Sequence, residues 1–520
     1  MKVLERVKHV PFHTFLLAAF PVLFLFAQNQ SELQLPVVVT PIAIVWLVSF
    51  TALSVFAFAT RNWLRAALCV SFMLAIFFTY PHLYGVFGHG RIELGAFVLT
   101  TSRLFNTIGL FISIAGLLFL LRTKVDLIAA TKVINVVATI LLVMGLTNAL
   151  THKATGVSGE RLRRVDDGVE SLTAVAEKPD IYYIIFDRYA NKASLDAYGY
   201  DNAPFLSALE DRGARITQDA LGNYPNTTES LASSLNMKYL NNLADRVGKE
   251  SSSVTPLRTS IEDNMVSLFL REQDYTFYNV GSWWEGTRKN SFATKNYIAE
   301  ERSLGLDEFA TNLFLNDTPL GKLDARFFPA AYAGHAERFE AQLSSLREIA
   351  AKSETTYTFS HILMPHDPYV FNADCSYRDS AVVEASTYQE NYLQQLTCLN
   401  TKILSLVDDI LASSDKKPLI VMQSDEGPHP ILSPKTGSNW LGYPDETYQE
   451  KLRIFSAVIA PDDFSLTTST TPVNTFREVF NHYFGAKFPI LENRSFVFER
   501  EERPYLFVDV TDKVAFPSKP

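Results

Sequence analysis

Acidic and imidazole side chains lie at the ends of three short apolar runs in the sequence. Asp187 follows the first run, His361 and His366 lie at the end of the second, and Asp425 and Glu426 follow the third. Such runs are typical of strands buried on both faces, and parallel strands bring their carboxyl ends to one edge of a sheet. Carboxylates with nearby imidazoles are suitable ligands for a divalent metal ion. We therefore predict a metal site at this edge, with Asp187, Asp425 and Glu426 as ligands.

A threonine is the candidate nucleophile. The segment Asn223–Met237 begins with turn-forming residues and continues in a helical pattern, with Thr227 at the N-terminal end of that pattern. A metal ion can activate a hydroxyl group in this position, and a helix N-terminus favours a phosphate or an oxyanion. Two alternatives remain open, namely that Thr227 is only a helix N-cap or that the neighbouring Thr228 is the nucleophile.

Three further residues are candidate substrate contacts. Arg188 follows Asp187 and could attract an anion, although a surface ion pair would explain this arginine equally well. His429 lies three residues after Glu426 and could supply an additional imidazole. Trp283 follows another apolar run at the same predicted edge, where an indole could stack on a sugar or contact lipid. Ordinary packing is an equally good explanation for Trp283.

Alternating strands and helices indicate the fold that positions these side chains. The predicted strands are Ile181–Phe186, Tyr275–Val280, Tyr357–Leu363, Leu419–Gln423 and Ile454–Ala460. The predicted helices are Ala203–Arg212, Ile261–Glu272, Ala336–Ala351, Tyr388–Ser413 and Asn474–Phe484. This alternation predicts an α/β domain over residues 179–510, with a mainly parallel sheet flanked by helices. We expect residues 511–520 to form a loose tail.

The N-terminal part of the chain is apolar and positively charged. Residues 1–150 contain 10 Lys and Arg against 4 Asp and Glu, whereas the whole chain contains 47 against 56 and has a net charge of −9. Five uncharged stretches are long enough to span a bilayer. They are Val10–Ala27, Pro36–Thr60, Ala66–Phe87, Leu104–Leu121 and Val133–Leu150. We predict a five-helix transmembrane region over residues 1–150 and a juxtamembrane connector over residues 151–178.

Loop charges predict the orientation of this region. Lys and Arg are concentrated at the N-terminus and in the second and fourth loops, so these lie on the cytoplasmic side. Five spans then place the α/β domain outside the cytoplasm of a bacterial-type inner membrane. The uncharged spans disfavour a transporter, for which only His13 and His82 are candidate pathway residues near the membrane.

The composition excludes other classes of protein. The acidic net charge shows no bias toward nucleic acid, so no nucleic-acid partner is expected. Three cysteines are too few for a disulfide scaffold or a multi-cysteine zinc framework. Cys375 and Cys398 both lie in the predicted extracytoplasmic domain and could form one disulfide.

Five segments together resemble the alkaline phosphatase/sulfatase superfamily. More closely, they are similar to its membrane branch, which includes lipoteichoic acid synthases and phosphoethanolamine transferases. The segments are PDIYYIIFDRYA (179–190), NYPNTTESLASSLNM (223–237), FSHILMPHDPYVF (359–371), QSDEGP (423–428) and TPVNTFREVFNHYFG (471–485). Their order and spacing carry the resemblance, together with the N-terminal spans.

The resemblance implies roles for the matching positions. It places Asp187, Thr227 and Asp425 around a metal ion, with Thr227 as the nucleophile. It also implies that His361 and His366 contact the phosphoryl group or a second metal, or transfer protons. Glu426 stands where the family usually has histidine, which favours Mn²⁺ or Mg²⁺ over Zn²⁺ or Ca²⁺ and leaves room for an inactive site. The C/S-x-P-x-R pattern of sulfatases is absent around Thr227.

The expected function is therefore phosphoryl chemistry at the outer face of the membrane. The resemblance implies a phosphoglycerol- or phosphoethanolamine-type transferase or hydrolase. A membrane phospholipid would be the donor, and an envelope glycan or lipid would be the acceptor. The alternative is a catalytically degenerate membrane protein that binds or helps to assemble an envelope polysaccharide.

Overall fold

The computed structural model divides the chain into two compact units. The first unit comprises Met1–Thr155 and Glu301–Ala331, and the second comprises Gly156–Glu300 and Tyr332–Pro520. The structure describes residues 10–28, 35–87, 91–94, 97–154, 178–299, 313–314, 330–435, 439–467 and 470–515. Most of the predicted connector, 151–178, therefore lies outside the described residues.

The first unit is built from apolar helices. They are α1 (His13–Gln28), α2 (Val39–Thr60), α3 (Trp63–Phe87), α4 (Thr101–Arg122) and α5 (Leu127–Ala154). Between α3 and α4, strands β1 (Arg91–Leu94) and β2 (Phe97–Thr100) form an antiparallel pair. In the described residues, four helices are long and apolar enough to cross a membrane. The predicted count of five spans is not confirmed, because α1 has only 16 residues.

Polar side chains join helices within this unit. The backbone N–H of His13 donates to Asn135 Oδ1 at 2.9 Å, and His13 Nδ1 lies 2.7 Å from Ser71 Oγ. His13 thus contacts α3 and α5 from the first turn of α1, and all three side chains are buried. These contacts give His13 a role in helix association.

The second unit contains a seven-stranded sheet in the order β4-β9-β8-β3-β7-β5-β6. Its strands are β3 (Ile181–Phe186), β4 (Ala214–Ile216), β5 (Thr276–Val280), β6 (Lys295–Tyr297), β7 (Thr356–Ile362), β8 (Leu419–Ser424) and β9 (Ser456–Ile459). Only the pairings of β9 with β4 and with β8 are antiparallel in this sheet. The prediction of a mainly parallel sheet is therefore confirmed.

Helices cover the sheet, and a second small sheet follows it. The helices are α6 (Lys192–Ala197), α7 (Ala203–Glu210), α8 (Thr227–Ser234), α9 (Asn241–Val247), α10 (Thr255–Glu262), α11 (Met265–Glu272), α12 (Glu285–Arg288), α13 (Ala330–Ala350), α14 (Ser380–Ala385), α15 (Tyr388–Ser413), α16 (Asp445–Leu452), α17 (Pro472–Phe484) and α18 (Thr511–Val514). Strands β10 (Phe496–Phe498) and β11 (Phe507–Asp509) form an antiparallel pair.

The central strand β3 is buried on both faces. Successive side chains of a strand point to opposite faces of the sheet. Tyr182, Ile184 and Phe186 accordingly pack in one apolar core, and the alternating residues of β3 pack in the other. This double burial explains why the sequence of β3 is a continuous apolar run.

Two segments differ from the prediction. The single helix expected over Ile261–Glu272 is divided into α10 and α11, because Asn264 caps a new helix by accepting a hydrogen bond from the Ser267 N–H at 2.8 Å. The expected loose tail begins instead with α18, whose Val514 is buried in an apolar cluster. Residues 516–520 lie outside the described residues.

A disulfide joins Cys375 and Cys398. It connects the loop after β7 to helix α15, so the pairing suggested by the sequence is confirmed.

Candidate metal centre and nucleophile

Three neighbouring strands position the ligand-type side chains. In the sheet, β3 lies between β7 and β8, and the last residue of β3, Phe186, is in register with Ser424 of β8. Asp187 directly follows Phe186, and Asp425 directly follows Ser424. His361 is in register with Ile185 on the other side of β3. The parallel arrangement therefore brings two carboxylates and one imidazole to the carboxyl end of the sheet.

The three side chains form a compact buried group. His361 Nε2 lies 3.8 Å from Asp187 Oδ2 and 3.7 Å from Asp425 Oδ2. One ligand atom from each residue lies within 4.8 Å of the others. Asp187 and Asp425 are 3% and 1% exposed, and His361 is fully buried.

Several atoms of this group have no hydrogen-bond partner among the described residues. They are Asp187 Oδ1, His361 Nε2 and Asp425 Oδ2. Buried polar atoms are normally satisfied, because leaving one unpaired is energetically costly. Two carboxylates and an imidazole that converge with unpaired atoms fit a divalent cation, so this donor set suits the metal that the sequence predicts.

Burial controls the charge of the group. It raises the pKa of Asp187 to about 7, although the neighbouring Arg188 guanidinium acts in the opposite direction. Burial and the Asp187 carboxylate raise the pKa of Asp425, and a hydrogen bond from the Thr227 hydroxyl lowers it. Burial lowers the pKa of His361 to about 3, so the imidazole is neutral near pH 7 and can offer a lone pair to a cation.

Neighbouring side chains fix the His361 ring. Thr287 Oγ1 lies 3.1 Å from His361 Nδ1, and Gln342 Nε2 donates to the His361 carbonyl at 2.9 Å. The indole of Trp284 packs edge-on against the imidazole with the ring centroids 5.9 Å apart. Because Thr287 contacts Nδ1, Nε2 is the ring nitrogen directed at Asp187 and Asp425.

Backbone groups fix the Asp425 carboxylate. Its Oδ1 accepts hydrogen bonds from the N–H of Glu426 at 2.8 Å and the N–H of Arg188 at 3.3 Å. The Ser230 hydroxyl, one turn into α8, donates to the Asp425 carbonyl at 2.7 Å. These bonds hold the loops after β3 and β8 and helix α8 against one another.

Thr227 lies beside this group. It is the first residue of α8 and is partly exposed, and its side chain lowers the pKa of Asp425. Asn226 precedes it as the N-cap but makes no side-chain cap hydrogen bond. The hydroxyl of Thr227 therefore faces the candidate metal centre while remaining accessible to a substrate.

Glu426 is held by two cations. Its Oε1 lies 2.8 Å from Lys451 Nζ and 3.2 Å from Arg188 Nε. Arg188 also reaches Asp367 Oδ1 at 3.1 Å. Glu426 is not a member of the group formed by Asp187, His361 and Asp425. Its role as a metal ligand stays a prediction.

The remaining predicted residues surround the group at different places. His366 is partly exposed, with Nδ1 at 3.2 Å from Asp367 Oδ1, so it lies on the same rim as Arg188. His429 is exposed and contacts the ring of Tyr388. Trp283 packs edge-on against His335, 5.4 Å between centroids, and borders a small cavity.

Thr287 and Lys451 were missed by the sequence analysis. Lys451 is a buried lysine, yet its helix α16 has the composition of an exposed helix. Thr287 lies in a four-residue helix without any distinguishing motif. Lys451 contacts Glu426 across 25 positions of the chain, and Thr287 contacts His361 across 74 positions. Local patterns do not encode such contacts.

Comparison with family models identifies this domain. A model described as Sulfatase matches residues 179–475, which is more than half of the chain. The chain belongs to the sulfatase family. This match confirms the sulfatase-like resemblance of the sequence segments. The search of curated proteins found no match.

The chain is also similar to several solved bacterial structures. The C-terminal periplasmic domain of EcEptC from Escherichia coli, in complex with Zn, is 13% identical with a TM-score of 0.42, covering 64% of this chain and 93% of that chain. The corresponding domain of the phosphoethanolamine transferase EptC from Campylobacter jejuni is 10% identical with a TM-score of 0.37, covering 61% and 92%. A putative sulfatase from Bacteroides thetaiotaomicron is 13% identical with a TM-score of 0.37, covering 66% and 76%.

Replacing the carboxylate of Asp187 or of Asp425 should strongly weaken metal binding. We expect the full chain in detergent to bind one equivalent of Mn²⁺ or Zn²⁺, and Asp187→Asn or Asp425→Asn to weaken that binding at least about 100-fold, because each removes a charged ligand. Calorimetric titration measures the affinity. Asp180→Asn is the matched control at the opposite end of β3, and equal loss in this variant would contradict the assignment.

Metal affinity should fall as the pH falls. Because the pKa of Asp187 is about 7 and that of Asp425 is also raised, a metal ion must displace protons below pH 7. We expect the apparent association constant to fall about tenfold per pH unit for each proton displaced between about pH 7 and pH 5. Competition with a chromogenic chelator measures it, and an affinity independent of pH in this range would contradict the prediction.

The metal-free chain should show the opposite trend in stability. The folded state holds the Asp187 proton up to about pH 7, whereas the unfolded chain releases it near pH 3.8. This carboxyl group therefore contributes stability at low pH that is lost as the pH rises from about 4 to about 7. Thermal unfolding of wild-type and Asp187→Asn chains across this range measures the contribution, which should be absent from the variant.

Proposed function

We propose that this protein is a metal-dependent phosphoryl-group transferase or hydrolase that uses Thr227 as its nucleophile. The single observation that carries the proposal is that Thr227, the first residue of α8, lies beside Asp425 in a buried group of unpaired metal-ligand atoms. A hydroxyl, its proton acceptor and a cation site then occupy one end of the sheet. This is the minimum set of groups for covalent phosphoryl transfer.

Asp187, His361 and Asp425 would hold the metal. A bound divalent cation would supply positive charge that favours the alkoxide of Thr227 and neutralises phosphoryl oxygens. Because this donor set contains an imidazole, Zn²⁺ and Mn²⁺ are both reasonable occupants, whereas a purely carboxylate set favours Mg²⁺ or Mn²⁺. Mn²⁺ is the ion compatible with both sets, and Mg²⁺ is the second choice if Glu426 also binds.

The reaction would proceed through the threonine. Thr227 Oγ forms a bond to phosphorus as its hydroxyl proton moves to the Asp425 carboxylate, and the bond from phosphorus to the leaving alcohol breaks. The leaving oxygen takes a proton from solvent at the accessible rim. The phosphothreonine formed is then attacked by an acceptor hydroxyl in the transferase, or by water in the hydrolase. His366 lies on this rim and burial lowers its pKa, so its neutral imidazole takes the proton of the attacking group. Asp425 returns its proton to the Thr227 oxygen as the bond from that oxygen to phosphorus breaks.

The charge of the rim favours an anionic substrate. The guanidinium of Arg188 is about one-quarter exposed and lies between Glu426 and Asp367. A phosphodiester could replace Asp367, which is itself largely exposed, as a partner of this guanidinium. Trp283 and His429 lie farther out, where they are available to the non-reacting part of a donor or an acceptor.

The membrane unit supports a lipid donor. Four described helices are suited to spanning a bilayer, and the distribution of basic residues favours an extracytoplasmic catalytic domain. Anchoring would keep the domain close to phospholipid headgroups at the outer face of a bacterial-type inner membrane. We therefore propose a phosphatidylglycerol or phosphatidylethanolamine donor and an envelope glycan or lipid acceptor.

The competing function is a degenerate site that only binds an envelope polysaccharide. Its support is Glu426, which replaces the histidine usual in the late motif and engages cations instead of the metal-ligand group. His361 weighs against this alternative, because it brings an imidazole to the two aspartates from another strand.

A covalent adduct on Thr227 tests the proposed reaction. We expect the full chain with Mn²⁺, incubated with phosphatidylethanolamine or phosphatidylglycerol, to gain the mass of one headgroup phosphoryl unit. Intact mass measurement and peptide mapping should locate the adduct on Thr227, because its side chain lies beside Asp425 and lowers the pKa of that carboxylate. Thr227→Ala should lose the adduct completely.

Thr228→Ala is the matched control, since Thr228 is adjacent and equally half-buried. It should retain the adduct, and loss in this variant alone would reassign the nucleophile to Thr228. Metal binding without an adduct from any phospholipid would contradict lipid-dependent transfer and favour the binding function.

A further inference from the structure

We infer that Lys451 is a positioning residue, which makes Glu426 a fixed counter-ion and thereby orients Arg188 toward an anionic group. The inference deepens the proposed function and rests on it for the nature of that group, a phosphoryl anion. It concerns how the chain tolerates a glutamate at the position where related sequences usually have histidine.

The contacts form a linear chain of charges. Lys451 Nζ contacts Glu426 Oε1 at 2.8 Å, and the same oxygen accepts from Arg188 Nε at 3.2 Å. The side chains of Lys451 and Glu426 are 5% and 4% exposed, whereas that of Arg188 is 23% exposed. Lys451 is thus the buried end of the chain, and Arg188 is the end that a solute can reach.

The backbone holds Lys451 in this place. The N–H of Gly427 donates to the Lys451 carbonyl at 2.7 Å, and the Lys451 ammonium donates to the Gly427 carbonyl at 3.1 Å. A Cβ atom at Gly427 would lie 2.3 Å from the Glu450 carbonyl oxygen. Only glycine therefore allows the loop after β8 to approach the C-terminal end of α16 this closely.

Arg188 is constrained at both ends. Its φ of 66° lies in the left-handed region, which is unfavourable for a residue with a Cβ atom. Its N–H donates to Asp425, and its carbonyl accepts from the Tyr392 hydroxyl at 2.9 Å. The backbone is therefore fixed beside the candidate metal centre, and the contact with Glu426 determines where the guanidinium points.

The charges of these side chains explain how the arrangement could favour an anion. Asp187, Asp425 and Glu426 bring three carboxylates together, and Arg188 and Lys451 offset two of those charges. With a divalent cation these five groups carry a net positive charge, which suits a phosphoryl anion, and the largely exposed Asp367 is the carboxylate that the anion would replace at Arg188. Without Lys451 the cluster would be no better than neutral, and Glu426 would compete with the anion for Arg188.

A double-mutant cycle tests whether Lys451 acts through Glu426. The probe is inorganic phosphate, titrated calorimetrically into the Mn²⁺-loaded full chain in detergent. We expect Lys451→Met and Glu426→Gln each to weaken phosphate binding about tenfold. The double variant should be weakened no further than either single variant, because both substitutions interrupt the same chain of contacts. The double variant also leaves no unpaired buried charge, so its phosphate affinity can be measured even if Lys451→Met alone fails to fold.

Metal binding distinguishes a counter-ion from a ligand. If Glu426 is a counter-ion, Glu426→Gln should still bind one equivalent of Mn²⁺ with an affinity within about threefold of wild type. The matched control is Lys435→Met, which removes another buried lysine, one that pairs with Glu501 at 2.9 Å. Its phosphate affinity should stay within about twofold of the wild-type value.

Four outcomes would overturn the inference. They are wild-type phosphate affinity in Lys451→Met, fully additive effects in the double variant, loss of the metal in Glu426→Gln, and no phosphate binding by metal-loaded wild type. Additive effects would mean that Lys451 contacts the anion directly. A failure of the proposed function would give a different pattern of results. If the double-mutant cycle is non-additive but no adduct forms on Thr227, catalysis is refuted and the positioning role of Lys451 stands.

Discussion

The arrangement of the catalytic domain depends on burying like charges at the end of a parallel sheet. Asp187 and Asp425 are almost inaccessible to water, yet each retains an oxygen without a hydrogen-bond partner in the described structure. Burial raises the pKa of both carboxylates, and repulsion from Asp187 raises that of Asp425 further. A divalent cation removes both penalties at once. The surrounding contacts serve to keep the carboxylates converging on a common point when no cation is bound.

The second consequence of this constraint is the placement of Thr227, the proposed nucleophile. Helix α8 begins at Thr227, and Ser230 of the same helix bonds the Asp425 carbonyl. The hydroxyl therefore cannot move independently of the carboxylate it faces. A helix N-terminus adds a favourable field for a phosphoryl oxygen, so in the proposed reaction a single short helix would contribute both the attacking atom and part of the anion site.

The third consequence concerns Glu426. A third carboxylate beside the first two would strengthen the repulsion if it stood alone. Lys451 and Arg188 pair with it instead, and His361 from the adjacent strand approaches the two aspartates. The protein thus departs from the usual sequence of the late motif while retaining an imidazole, two carboxylates and a threonine around one point.

Local residue patterns were enough to predict the main elements and most of the candidate ligands. Continuous apolar runs marked β3, β7 and β8 because strands buried on both faces need such runs, and Asp187 and Asp425 could be recognised because they end those runs. The same reasoning predicted the helical position of Thr227, the apolar helices of the first unit and the parallel sheet. The break at Asn264 was missed, since its capping hydrogen bond competes locally with an otherwise continuous helical pattern.

Packing in three dimensions determines which side chains meet. Strand register brought His361, and not His366, to the two aspartates, and a shift of one residue would have turned the imidazole to the opposite face. The pairing of Glu426 with Lys451 depends on the close approach at Gly427, and the orientation of the His361 ring depends on Thr287. These contacts join residues far apart in the chain, so their geometry follows from packing, whereas local residue patterns determine only the elements that carry them.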